Sequence, residues 1–352
     1  MLTDKTVVVT GGTGSLGSVL VDRLLSGEMG TPKRVVVLSR DEAKQHAMRL
    51  TYERRRFATD EVIYRNFERT LQFVIGDVCD VDSVAGALRN ADVVFNAAAL
   101  KQVPTCEYFP LEAIKTNVAG AENIVRTIQK YRLPVTTVVA MSTDKACKPV
   151  NVMGMTKALQ ERIFVRANLD CPDTRFICVR YGNVLASRGS VVPLFLEQAR
   201  RGDPLTVTDE GMTRFLLSLE QAVDAIFSAV RHAAPGETYV PRLRSARVLD
   251  IARAIVGERQ IPILTSGTRP GEKVHEILVS EEEAHRTFRR GAYYVIEPIL
   301  PELRPQSADR EEPIGREYSS LDALMSATEV RTLLEQHGFI TPEARVEQDA
   351  HA

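Results

Sequence analysis

Apolar runs rich in Val, Ile and Phe recur along the chain between amphipathic stretches, at Thr6–Val9, Arg34–Leu38, Leu71–Ile75, Val93–Ala97, Thr137–Met141 and Phe176–Tyr181. Continuous apolar strands separated by segments of helix length predict parallel βαβ units, with strands buried on both faces and helices covering them. In such a sheet the crossovers are right-handed and ligands bind beyond the carboxyl ends of the strands. Polar residues gather at those ends: Asp77-Val78 after the third run, Asn96-Ala97-Ala98-Ala99 at the fourth, Ser142-Thr143-Asp144-Lys145 after the fifth and Gly182-Asn183 after the sixth. Beyond about Leu185 the texture changes to shorter elements broken by Gly and Pro, as at Gly202-Asp203-Pro204 and Arg269-Pro270-Gly271. Residues 1–185 are therefore expected to form a nucleotide-binding domain, and residues 186–352 a smaller substrate-binding region interleaved with it.

The turn after the first run sharpens this picture. Thr10-Gly11-Gly12-Thr13-Gly14-Ser15-Leu16-Gly17 follows a strand and opens a helix. Glycines at 11, 14 and 17 allow a sharp turn, close approach to a pyrophosphate and tight helix packing, while the helix amides and dipole face the anion. The fold class predicted is α/β, a Rossmann-type doubly wound parallel sheet with a smaller C-terminal substrate-binding region. Dinucleotide contacts are expected from Gly11, Thr13, Gly14, Ser15, Leu16 and Gly17, and from Asn96, Ala97 and Ala98 at the fourth strand end. At the end of the second strand an NAD site usually carries an acid for the ribose hydroxyls; here Ser39-Arg40 stands there and Asp41 comes late. Arg40 can pair a 2′-phosphate and Ser39 can hydrogen-bond it, so NADP is expected ahead of NAD. Asp77-Val78 suits an adenine edge.

Bulk composition removes other classes. The 352 residues carry a formal net charge of -1, with 44% hydrophobic and 26% charged residues, which gives no electrostatic reason to expect nucleic acid or an anionic membrane as partner. No apolar run approaches the roughly 20 residues that span a bilayer, and no charged-then-apolar leader precedes Val7, so a cytoplasmic protein is expected. The five cysteines lack paired spacing and the six histidines lack ligand spacing, so reduced thiols and no metal are expected.

Nicotinamide enzymes of this build normally place a tyrosine four residues before a lysine. Here the position reads Met153-Gly154-Met155-Thr156-Lys157. A thioether moves no proton, so either the fold is kept for binding alone or proton transfer has passed to other residues. Thr143, Asp144 and Lys145 offer a hydroxyl, a carboxyl and an amine at a strand mouth, and favour the second account.

Ser142–Ala146, Asn151–Gly154, Leu100-Lys101-Gln102-Val103-Pro104, Arg180–Ser190 and Gly271-Glu272-Lys273 together resemble the polysaccharide-biosynthesis branch of the extended short-chain dehydrogenase/reductases. More narrowly, they are similar to its inverting UDP-N-acetylglucosamine 4,6-dehydratases. The resemblance runs from Leu2 to about Leu300 and includes members with methionine at the tyrosine position. The segments Thr59 to Arg69 and Glu302 to Tyr318 depart from it.

The resemblance implies oxidation of the sugar 4-hydroxyl by NADP+, elimination of water across carbons 5 and 6, return of the hydride to carbon 6 and inversion at carbon 5. It implies a neutral Lys145 as base at carbon 5, a protonated Asp144 as acid at the 6-oxygen, and Thr143 or a water linked to Lys157 for the first proton. Met153, at the tyrosine position, is counted with these catalytic-site residues but carries no proton. Lys101 and Asn117 are assigned supporting roles facing the cofactor, with Lys101 also near the substrate. The UDP-sugar diphosphate is expected on Arg214 and Arg269, with Arg188 a further candidate, Asn183 giving an amide contact and Glu272 accepting from a ribose hydroxyl. A homo-oligomer is expected. The rival readings are a UDP-sugar 4-epimerase, which needs no elimination roles for Asp144 and Lys145, and a catalytically silent NADP-binding sensor or scaffold.

Overall fold

A computed structural model gives the fold, and it describes residues 1–54, 67, 69–185, 190–304 and 312–341. Arg188, most of the 59–69 segment and part of the 302–318 segment lie outside the described residues. The β-branched runs form the strands β1 (Thr6–Thr10), β2 (Arg34–Ser39), β3 (Leu71–Ile75), β4 (Val93–Asn96), β5 (Thr137–Thr143) and β6 (Arg175–Tyr181). They pair in parallel in the order β3-β2-β1-β4-β5-β6. The order reverses between β1 and β4, which opens a crevice at their carboxyl ends. The chain after residue 185 returns to this sheet. Thr238–Pro241 adds parallel to β6, and Tyr293–Ile296 and Thr287–Arg290 add antiparallel, completing nine strands.

The strand period of two decides what each face buries. Val7 and Val9 point to one side, where Leu20, Val21 and Leu24 of helix Ser15–Leu25 cover them. Val8 points to the other, against Val84, Ile124 and Phe164 from the helices of the opposite layer. A third core, built on Val192, Phe195, Leu205, Ile251 and Leu334, holds the C-terminal region together. No helix among the described residues is long and apolar enough to cross a membrane.

Candidate active site

The glycine turn is a backbone cradle. Gly11 has φ +65°, a conformation costly for any residue with a side chain, and a carbon added there would lie 2.7 Å from Ala98 Cα. A carbon on Gly17 would lie 2.5 Å from the Gly11 carbonyl oxygen, so the helix start is locked onto the turn. Thr10 pins the β4 end by donating to Asn96 Oδ1 at 2.8 Å and accepting from the Ala98 amide at 3.2 Å. The result is a cleft of about 550 Å³ lined by Gly11, Thr13, Gly14, Ser15, Leu16, Gly17, Ala97 and Ala98 at one end and by Thr143, Lys145, Met153 and Lys157 at the other.

At the β2 end, Ser39, Arg40, Asp41 and Lys44 line the same cleft. The Ser39 hydroxyl meets Thr13 Oγ1 at 3.0 Å, Arg40 reaches Asp77 at 3.3 Å and Lys44 pairs Asp41 at 2.5 Å. Lys44 was not foreseen; its signal was a second cation four residues after Arg40. Burial works against the Asp77 carboxylate, but the Cys79 amide and Arg40 outweigh it and keep its pKa below the ordinary range.

Several expected contact residues do not line the cleft. Asn96 is buried on Thr10. Val78 is buried against Gly120. Asn117, in the π-turn Ile114–Ala119, accepts from the Leu100 amide at 2.9 Å and donates to the Leu100 carbonyl at 2.9 Å and to Thr156 at 3.0 Å. It therefore fixes the Leu100-Lys101 loop, whose Lys101 does line the cleft, and does not face the cavity itself.

Helix Val152–Asp170 presents Met153 and Lys157 on one face because they are four residues apart. Its first turn is capped by Asn151, which accepts from the Gly154 amide at 2.8 Å and donates to the Gly271 carbonyl at 2.7 Å, tying the helix to the substrate-side loop. Met153 packs with Cys106 and Ala113. Lys157 donates to the Met141 carbonyl at 2.7 Å and to Gln160 at 2.9 Å, and burial pushes its pKa down to about 8.

The trio after β5 is drawn into one cluster. Thr143 caps the short turn Asp144–Ala146 and donates to Asp144 Oδ1 at 2.9 Å. Asp144 is fully buried, accepts from Lys145 Nζ at 3.0 Å and leaves Oδ2 without a partner among the described residues. Burial, with Glu276 nearby, pushes its pKa up in spite of Lys145. Lys145 corrects the expectation of a neutral amine. Burial opposes its ammonium, but Asp144 at 3.0 Å and Glu276 at 3.0 Å together outweigh that and raise its pKa, so the folded chain holds Lys145 charged.

Glu276 was missed in the sequence. Its signal was an acid at the head of the apolar run Ile277-Leu278-Val279, where a buried strand should begin.

Lys145 and Asn183 also line a second cavity, of about 280 Å³, with Arg214, Arg269, Glu272 and Glu276. Arg214 is buried, donates to the carbonyls of Thr213 at 2.8 Å and Val274 at 3.2 Å, and lies 3.7 Å from Glu276. Arg269 stands exposed at the rim. Glu272 Oε2 is buried without a partner among the described residues, leaving an acceptor for a hydroxyl group. Two adjoining cavities, one against a glycine cradle and one rimmed by arginines, meet at Lys145.

Comparison with known proteins agrees with this architecture. Residues 7–298 match the family described as "Polysaccharide biosynthesis protein". The chain is 42% identical over 302 residues to a protein of Rickettsia typhi named UDP-glucose 4-epimerase, covering 84% of each. The structure of Pen from Bacillus thuringiensis superposes with a TM-score of 0.85 at 32% identity, covering 97% of this chain and all of that one. The dTDP-glucose 4,6-dehydratase DesIV of Streptomyces venezuelae shares the fold, with a TM-score of 0.63 at 21% identity over 76% of this chain and 86% of its own.

Proposed function

Because the chain belongs to the polysaccharide biosynthesis protein family, a branch of the extended short-chain dehydrogenase/reductases, we propose that it is a nicotinamide-dinucleotide enzyme acting on a UDP-sugar. The finer reading is an NADP-dependent, carbon-5-inverting 4,6-dehydratase of UDP-N-acetylglucosamine. One observation carries it: a fully buried carboxyl, Asp144, whose burial favours the protonated form, in contact with an amine at the point where the two cavities meet. A 4-epimerase needs no such acid and base pair, whereas elimination of water needs both.

The residues fit the cofactor. Gly11 and Gly17 let the turn close on Ala98 and on the helix start, where any side chain would strike backbone, and the first helical residues from Ser15 line the cleft that results. Arg40 and Lys44 offer two cations where a 2′-phosphate would lie, which supports NADP. A nicotinamide held in this cleft would supply hydride acceptance from carbon 4 of the sugar and hydride return to carbon 6.

The chain does the rest. Thr143 passes the proton of the 4-hydroxyl toward Asp144, along its 2.9 Å hydrogen bond. Asp144, protonated by that transfer and favoured in that form by its burial, donates to the departing 6-hydroxyl. Lys145, once relieved of its own proton, removes the one on carbon 5. Met153 closes the wall against water and Lys157 holds the ribose side. Arg214 and Arg269 flank the diphosphate, with Asn183 and Glu272 completing the substrate contacts.

The name carried by the Rickettsia typhi relative favours a second reading, a 4-epimerase. The two part in one experiment. Protein incubated with NADP and UDP-N-acetylglucosamine in deuterated water should yield a product lighter by one water, with one solvent deuterium at an inverted carbon 5. Lys145→Met should lower both water loss and carbon-5 exchange by ~10²- to 10⁴-fold while NADP binding survives. A product of unchanged mass identifies an epimerase. NADP binding without turnover of any sugar nucleotide identifies a silent sensor.

A further inference from the structure

The dehydratase reading leaves one proton without a destination. Lys145 is an ammonium between two carboxylates, and a base must first be neutral. Asp144 cannot take that proton and also donate one to the 6-hydroxyl, since it has a single acidic site and that site is already filled in the elimination step. We propose that Glu276 is the proton acceptor that neutralises Lys145, a positioning and proton-holding residue acting through the lysine; this rests on the dehydratase reading above.

The geometry supplies what the role needs. Glu276 Oε1 lies 3.0 Å from Lys145 Nζ, a direct hydrogen-bond path. Its backbone is fixed from both sides, the amide donating to Ser320 Oγ at 3.0 Å and the carbonyl accepting from the Ser320 amide at 2.8 Å, so the carboxylate cannot drift from the amine. It is only 1% exposed, which keeps the transferred proton from water. Its Oε2 has no hydrogen-bond partner among the described residues, so Lys145 is the group its carboxylate engages most directly.

The charged groups that face it are Lys145 from the turn after β5, Arg214 from strand Thr213–Leu217, Lys273 from its own loop, and Asp144 across the lysine. The three cations keep it ionised until the transfer, and Arg214 stays to compensate the cluster afterwards.

The step balances. One N–H bond of the Lys145 ammonium breaks and an O–H bond forms on Glu276, with no change in total charge. The neutral amine then takes the proton of carbon 5. The electron pair of that C–H bond forms the C5=C6 double bond, the C6–O bond breaks, and the proton of Asp144 leaves with the oxygen as water.

The experiment follows kcat against pH with UDP-N-acetylglucosamine and NADP in deuterated water, reading water loss and carbon-5 deuterium together. An internal acceptor makes turnover of the unaltered protein nearly flat from about pH 7 to about pH 9. In Glu276→Gln the lysine must lose its proton to solvent, so turnover should fall ~10²-fold at neutral pH and recover by about tenfold per pH unit as the medium becomes basic. Glu276→Asp, which keeps a carboxylate at a longer reach, should show a smaller loss and a flat profile. NADP titration reports whether each variant folds; if the Gln variant does not, the Asp profile and that of the unaltered protein decide.

Loss in Glu276→Gln that is uniform across pH, undiminished turnover in it, a tenfold rise per pH unit in the unaltered protein, or a sloping Asp profile overturns the proposal. Failure of the dehydratase reading looks different, because the unaltered protein then shows neither water loss nor deuterium at carbon 5.

Discussion

At Arg40 the side chain is mostly exposed and reaches Asp77 at 3.3 Å, so its charge is only partly occupied and remains available to a phosphate. A charge-assisted hydrogen bond contributes about 1.5–3 kcal/mol, and Arg40→Ala should therefore reduce any preference for NADP over NAD by tenfold or more in fluorescence titration. Equal affinities in the unaltered protein would remove the basis for that cofactor assignment. The two arginines of the substrate cavity differ in kind. Arg214 is buried and already holds two backbone carbonyls and Glu276, so its removal disturbs the fold as well as any ligand. Arg269 stands at the rim, and Arg269→Ala should weaken binding of UDP about tenfold in calorimetry while leaving NADP affinity unchanged. The resemblance to the family's diphosphate-binding arginines marked both as candidates, but it could not say which was free to move.

Between elements, contact distances leave little latitude. Helix Val152–Asp170 approaches the turn after β5 so closely that a carbon added at Gly154 would strike the Lys145 carbonyl oxygen. Gly154→Ala should push the helix away, lower stability by about 1–3 kcal/mol in urea unfolding, and reduce turnover more than NADP binding, because it displaces the lysine turn from Met153 and Lys157. A variant with full turnover would show that this spacing is not critical. The strand ends were legible in the sequence because a strand's polar terminus is a local property. The π-turn that aims Asn117 at Leu100 was not, since it depends on where helix Gly120–Tyr131 must begin to cover β4 and β5.

Across the whole molecule, the substrate-side chain is fastened to the sheet by a buried ionic cluster. Arg180 of β6 donates to Glu161 at 2.6 Å and 3.0 Å, and to Glu283 at 2.7 Å and 3.0 Å, while Ser142 donates to Glu161 at 2.5 Å directly before Thr143 in the chain. Burial would push the Glu283 carboxyl up, but Arg180 outweighs it, with help from Arg286 and the Ser280 amide, and pulls its pKa down to about 2. Unfolded, the group titrates at its ordinary 4.5 and so binds more protons than the folded chain between those values. Its contribution is therefore complete above about pH 4.5 and is lost as pH falls toward about 2, roughly 3 kcal/mol in all. Glu283→Gln should cost about 3–5 kcal/mol at neutral pH, since it leaves Arg180 short of a partner, and should flatten the acid dependence of the urea midpoint. An acid limb unchanged in that variant would assign the sensitivity to other carboxylates.

The sequence by itself determined the sheet and one half of the site. Continuous apolar runs and the Gly11–Gly17 turn are each encoded within a few residues, so they can be read without knowing the path of the chain. Thr143, Asp144, Lys145, Met153 and Lys157 follow from the same local logic. Only the tertiary structure decided the direction of the lysine's pKa shift and the identity of its second carboxylate, because Glu276 arrives from a loop 131 positions away in the chain. Electrostatics acts through space, and the sign and strength of a shift depend on which distant groups burial brings to within about 4 Å.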